Sequence, residues 1–117
     1  MQAMKIRPEE VAAKFLEELG TPKNMMGYHY LREAVLVYRP GMSFTNELYP
    51  GVATKFSTTP GRVERAMRHA IEVSMTRCPQ DVCKEYFGNT LNPNKGKPTT
   101  SEFIATLAEK LENAMED

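Results

Sequence analysis

Arg62, Arg65 and Arg68 recur at every third position, and His69 follows the last of them. Stepped at about 100° per residue, these side chains and Glu72 fall on one arc of a helix, opposite Val63, Ala66, Met67, Ala70 and Ile71. Guanidinium groups on a face turned away from a core suit the guanine edge, where one arginine donates two hydrogen bonds to O6 and N7. Glu64 has two readings. Its carboxylate can accept from a cytosine amino group, or it can pair with Arg68 four residues on. Ser57, Thr58 and Thr59 stand just ahead, where hydroxyls and the unpaired amides of a helix start meet phosphate. The same arc also fits a plain solvated surface whose charge serves solubility. Sparse acids, a short preceding turn and the small Ala66 and Ala70, which let neighbouring helices approach, favour a contact surface.

Other reactive residues point nowhere in particular. His29 and His69 lie far apart, and Cys78 and Cys83 are separated by four residues with no second ligand set, so neither metal nor cofactor is expected. Cys83 is expected to pack; Cys78, at a helix end, is expected to be exposed, without a catalytic partner. Glu9, Glu10, Glu17 and Glu18 are explained by the helix dipole and solvation. The serines lack a nucleophile-elbow pattern, and Gly88 to Gly96 lacks the Lys-Ser or Lys-Thr ending that cradles a nucleotide phosphate, so catalysis is not expected. Lys95 and Lys97 either reach a phosphate backbone or keep their loop solvated. Tyr28, Tyr30 and Tyr38, with several methionines, offer an alternative: a helical protein-interaction module without direct DNA binding, unless these rings are core.

The elements that carry these residues are helical. The chain has 117 residues, room for a single domain that needs no disulfide or metal to fold. Pro8 suits a first helical position, Val11, Phe15, Leu16 and Leu19 share a face, and Gly20 closes that helix. Thr21 reads as the N-cap of a second helix, with Pro22 behind it, running to about Tyr38 before Pro40-Gly41. A third helical region from Ser43 to Phe56 should divide at Pro50-Gly51, because proline suits a first turn. Thr58 or Thr59 caps the next helix, Pro60 to Arg77, which Cys78-Pro79 interrupts. Pro79 starts a short helix stopped by Gly88, Asn89 to Pro98 is a loop, and Thr99 with Glu102 makes a capping box for a last helix. No stretch alternates as strands do. The expected fold is all-α, a compact bundle of about six helices in which Tyr49 to Phe56, a tight connection and the Pro60 helix form a helix-turn-helix.

Formal net charge is zero, but Lys55 to Thr100 holds eight basic and four acidic residues, and Ser101 to Asp117 one and five. That balance excludes indiscriminate coating of nucleic acid while allowing a local cationic face. The longest purely apolar run, Ala34 to Val37, is far short of the roughly 20 residues that span a bilayer, so a soluble, cytoplasmic protein without membrane contact is expected.

At the level of whole segments the chain resembles the C-terminal DNA-binding domains of the master response regulators of sporulation initiation in spore-forming Firmicutes. The resemblance rests on Leu48-Tyr49-Pro50, Ala53, Lys55-Phe56, Thr58-Thr59 and the run from Arg62 to Glu72. Gly27-Tyr28 with Tyr30 to Ala34, and Lys97-Pro98-Thr99 with Ser101 to Ala105, extend it over nearly the whole chain. It implies a non-catalytic six-helix effector domain that binds a short promoter box, often in tandem copies, and activates or represses transcription downstream of a phosphorelay. It makes Arg62, Glu64, Arg65, Arg68 and His69 recognition-helix positions, with Ser57, Thr58 and Thr59 near the phosphates. Glu72 to Glu85 resembles the region that touches the sigma subunit of RNA polymerase, although Thr76 to Asp81, with Cys78-Pro79, departs from that pattern. Residues 1–117 are expected to be a single effector domain, the family's N-terminal receiver domain lying outside this chain.

Overall fold

A computed structural model describes residues 6–88 and 97–116. The helices are α1 (Pro8–Glu18), α2 (Met26–Val37), α3 (Tyr49–Lys55), α4 (Pro60–Arg77), α5 (Gln80–Phe87) and α6 (Thr100–Met115), with a π-helical turn at Phe44–Leu48 running into α3. No strand occurs among the described residues. The expected all-α bundle of six helices is what the chain forms.

Local chemistry accounts for most of the boundaries. Pro8 and Pro60 occupy the first turns of α1 and α4, where a missing amide costs nothing. Thr59 caps α4, its hydroxyl oxygen accepting from the Arg62 amide at 3.3 Å. The capping box of α6 is complete: Thr99 Oγ1 accepts from the Glu102 amide at 3.1 Å, and the Thr99 amide donates to Glu102 Oε1 at 2.8 Å.

Two boundaries differ from the reading of the chain. Thr21 does not cap α2, which starts at Met26 after a turn in which the Met25 amide donates to the Pro22 carbonyl. Gly20, at φ 78°, turns the Thr21 amide back onto the Leu16 carbonyl, so Thr21 finishes α1 and its buried hydroxyl finds no partner among the described residues. The third region does divide, but at Leu48/Tyr49. Leu48 closes a five-residue loop onto the Ser43 carbonyl at 2.9 Å, and Pro50 then falls inside the first turn of α3. The loop reading for Asn89 to Pro98 lies mostly outside the described residues.

The core joins Leu16 and Leu19 of α1, Leu31 and Val35 of α2, Val52 of α3, Val63 and Met67 of α4, and Phe103, Ile104 and Leu107 of α6. Phe87 of α5 stacks on Phe103 with ring centroids 5.3 Å apart. Tyr28 and Tyr30 are buried and Tyr38 is half-buried, so the tyrosines proposed for a partner surface mostly belong to this core. No helix among the described residues is long and apolar enough to cross a membrane.

Candidate nucleic-acid interface

The arginine-bearing helix starts at a sharply built corner. At the end of α3 the Thr58 amide donates to the Ala53 carbonyl at 2.9 Å and the Ser57 amide to the Thr54 carbonyl at 3.3 Å, with Ser57 left-handed at φ 55° between them. This is a Schellman ending, and it turns the chain within Phe56 to Thr59. Ser57 and Thr59 are exposed and Thr58 is half-buried, all beside the amide-rich, positive start of α4. The Thr59 oxygen serves the cap, which leaves its O–H free to donate to a phosphate.

Along α4 the outward and inward faces separate as the spacing implies. Val63, Met67, Ala70, Ile71 and Ser74 are buried; Arg62, Arg65, Arg68, His69 and Glu72 are exposed, and with Ala66 they line one open, shallow concavity. Arg68 Nη1 donates to both carboxylate oxygens of Glu64, at 3.0 and 3.4 Å. Such an exposed pair contributes about 0.3 to 0.5 kcal/mol, less than the roughly 1 to 3 kcal/mol of a good bidentate base contact, so a duplex can take either partner from it. The side chains of Arg62, Arg65 and His69 make no hydrogen bond or ion pair among the described residues. Two guanidinium groups are therefore already released at the N-terminal half of the second helix of a helix-turn-helix.

What holds α4 at this height is only partly written along the chain, in the small Ala66 and Ala70. A Cβ on Gly27 of α2 would stand 2.3 Å from the Ala66 carbonyl oxygen and 2.6 Å from Ala70 Cβ, so only glycine lets α2 lie this close. Ser74 Oγ donates to the Leu19 carbonyl at 2.6 Å in a fully buried contact, tying α4 to the end of α1. The brace helix α3 is held in turn by Lys55 Nζ on Glu33 Oε1 at 2.8 Å and by Tyr30 edge-on to Phe56, centroids 5.1 Å apart. Tyr49, at the start of α3, packs close enough to α4 that burial and then the Glu64 charge push its phenol up, with Arg68 partly opposing. A glycine inside a helical pattern is a signal that could have pointed to Gly27; nothing local marks Ser74 or Glu33.

The remaining candidates are less committed. Lys97 is exposed shortly before the α6 cap and makes no polar contact among the described residues; Lys95 lies outside them. Among the described residues no three His, Cys, Asp or Glu side chains gather as metal ligands would. His29 is half-buried with Nε2 3.1 Å from the Lys23 carbonyl. Both cysteines are free, and Cys78, expected to be exposed, is half-buried because it packs against the core. Compared with known families, residues 12–111 match the model described as "Sporulation initiation factor Spo0A C terminal".

Proposed function

The chain belongs to the Spo0A C-terminal family, a non-catalytic domain that regulates transcription by binding DNA, and on that premise we propose how this chain reads its site. The N-terminal half of α4 enters the major groove. Arg62 and Arg65 read guanine edges, Arg68 does so or holds a phosphate once released from Glu64, and His69 lies against the backbone. Ser57, Thr58 and Thr59 anchor the start of the helix on phosphates, and Lys97 adds a contact indifferent to sequence. The observation that carries this reading is the pair of unpartnered guanidinium groups, Arg62 and Arg65, on the outward arc of a helix whose other arc is core.

The rest of the proposal concerns assembly. Residues 1–117 act as one effector unit in the cytoplasm, two copies occupy adjacent boxes, and the stretch from Glu72 to Glu85 contacts the sigma subunit of RNA polymerase. The family membership supports DNA binding itself; these partners rest on the resemblance of the segments.

Titration of cognate and scrambled duplexes at several salt concentrations tests the division of labour. Arg65→Ala should reduce discrimination by about 1 to 3 kcal/mol, whereas Lys97→Ala should weaken all duplexes alike and make the salt slope shallower by about 1. Equal losses on both duplexes for both variants would reject it. The cognate duplex is obtained by selection from a random pool, and footprinting then reads whether boxes occur singly or in a fixed repeat.

A further inference from the structure

The corner where α4 gives way to α5 holds sulfur chemistry that DNA recognition does not use. Cys78 caps the C-terminus of α4, and Pro79 is the N-cap of α5, at φ −59° and ψ 144°. Cys78 therefore precedes a cap, and Cys83 is the fourth residue of the helix that follows. Side chains at these two positions converge, the first folding over the opening turn onto the second; the arrangement ordinarily joins two apolar groups. Here both positions are cysteines. The Cys83 amide donates to the Pro79 carbonyl at 3.0 Å, and Cys83 is near enough to Cys78 for its charge to act on that thiol. Cys78 Sγ is 3.4 Å from the Pro79 carbonyl oxygen and Cys83 Sγ is 3.5 Å from Met75 Sδ, so both side chains are packed into the corner. Both are free and half-buried, reachable by a small molecule.

We propose that Cys78 and Cys83 form a reversible disulfide site, closed by exchange with a low-molecular-weight disulfide, that locks the corner between the recognition helix and α5. One cysteine gives its proton to solvent and attacks a sulfur of the small disulfide, whose S–S bond breaks to release one small thiolate. The other, likewise deprotonated, attacks the mixed disulfide and releases the second. The small disulfide gains two electrons and becomes two thiols; the protein loses two hydrogens and gains one S–S bond. Burial holds both thiols above the ordinary cysteine range, and the neighbouring Cys83 and Asp81 add to this at Cys78, so at neutral pH little thiolate is present and the exchange is slow. The chemistry does not depend on the polymerase-contact reading, but both cysteines lie within that stretch.

The test equilibrates the reduced chain with stepped ratios of reduced to oxidised glutathione, quenches by alkylation and reads intact mass and linked peptides. The expected product is two hydrogens lighter, carries a 78–83 link, reverts with dithiothreitol and forms at a lower share of oxidised glutathione in the folded chain than in urea. Cys78→Ser and Cys83→Ser should each stop at a glutathione adduct on the remaining thiol. A link that forms as readily in urea, or a folded chain that yields only adducts or intermolecular dimers, would overturn the proposal. The corner lies about 20 Å along α4 from Arg65, so the oxidised chain should keep its DNA affinity within about twofold; a larger loss would overturn the assignment of the lock to this corner alone.

Discussion

Gly20 and Ser57 occupy the same place in two helix endings, each turning the following amide back onto the helix with a positive φ, of 78° and 55° respectively. Glycine takes that conformation freely, whereas an L-side chain gives up roughly 1 to 2 kcal/mol. Ser57→Gly should therefore stabilise the domain by about 0.5 to 1 kcal/mol after allowance for the looser unfolded chain, seen as a later denaturant midpoint with an unchanged slope. If DNA binding weakens in the same variant, serine is retained at the corner for its hydroxyl; unaltered binding would remove Ser57 from the phosphate contacts. A second residue-scale question is what Glu64 does once a duplex arrives. Glu64→Gln should leave stability within about 0.5 kcal/mol, because the Arg68 pair it dissolves is exposed. On DNA, loss of preference at one base pair would identify Glu64 as a reader of cytosine, while a uniform gain across sequences would confine it to holding Arg68.

At the scale of elements, the height of α4 over its neighbours is set by a contact that tolerates no added atom. Gly27→Ala should cost about 1 to 3 kcal/mol, since the new methyl must push back the Ala66 carbonyl and Ala70 Cβ. DNA affinity measured where the variant remains folded should fall as well, because α4 can relieve the clash only by moving. A stability loss with unaltered affinity would mean that α2 moves instead. The helix itself is legible along the chain from Pro60 to Arg77, its cap, its proline and its apolar arc all agreeing. Its contacts are less so: Ser74 meets a carbonyl 55 residues away, and no local pattern encodes such a partner. Thr21 misleads for a related reason, being a good cap residue captured by the ending of the previous helix. The outward arginines are legible because burial follows periodicity, whereas the choice Glu64 makes depends on rotamers that periodicity leaves open. A further tie joins α1, α5 and α6, where Tyr86 bonds Glu18 through its hydroxyl, meets Phe15 edge-on and lies 5.0 Å beneath Lys110 Nζ. Burial first, then the Glu18 hydrogen bond, raises the Tyr86 phenol above its ordinary value. With the folded value raised, its contribution is complete below about pH 10 and is lost as pH climbs toward the folded value, where the unfolded chain has already ionised. Tyr86→Phe should make the fall in denaturation midpoint between about pH 9 and about pH 11 shallower; an unchanged fall would place the alkaline loss on other groups.

Over the whole molecule, charge is separated although its sum is zero, with the excess of base in Lys55 to Thr100 and the excess of acid from Ser101 onward. One copy presents few cations to a duplex, so its specific complex should be weak and its logarithmic affinity should fall against logarithmic salt with a slope of only about −3 to −5. Occupancy in that regime is gained by placing a second copy next to the first, which turns its binding into a nearly intramolecular event. Because α4 is packed against α2, α3 and α6, the direction in which a bound copy faces its neighbour is set by the helical phase of its box. Two boxes in phase should bind two copies cooperatively, and insertion of about five base pairs between them, half a turn of duplex, should reduce binding to the product of two independent sites. Cooperativity that survives the insertion would mean that the copies associate without regard to face, through segments other than this rigid bundle.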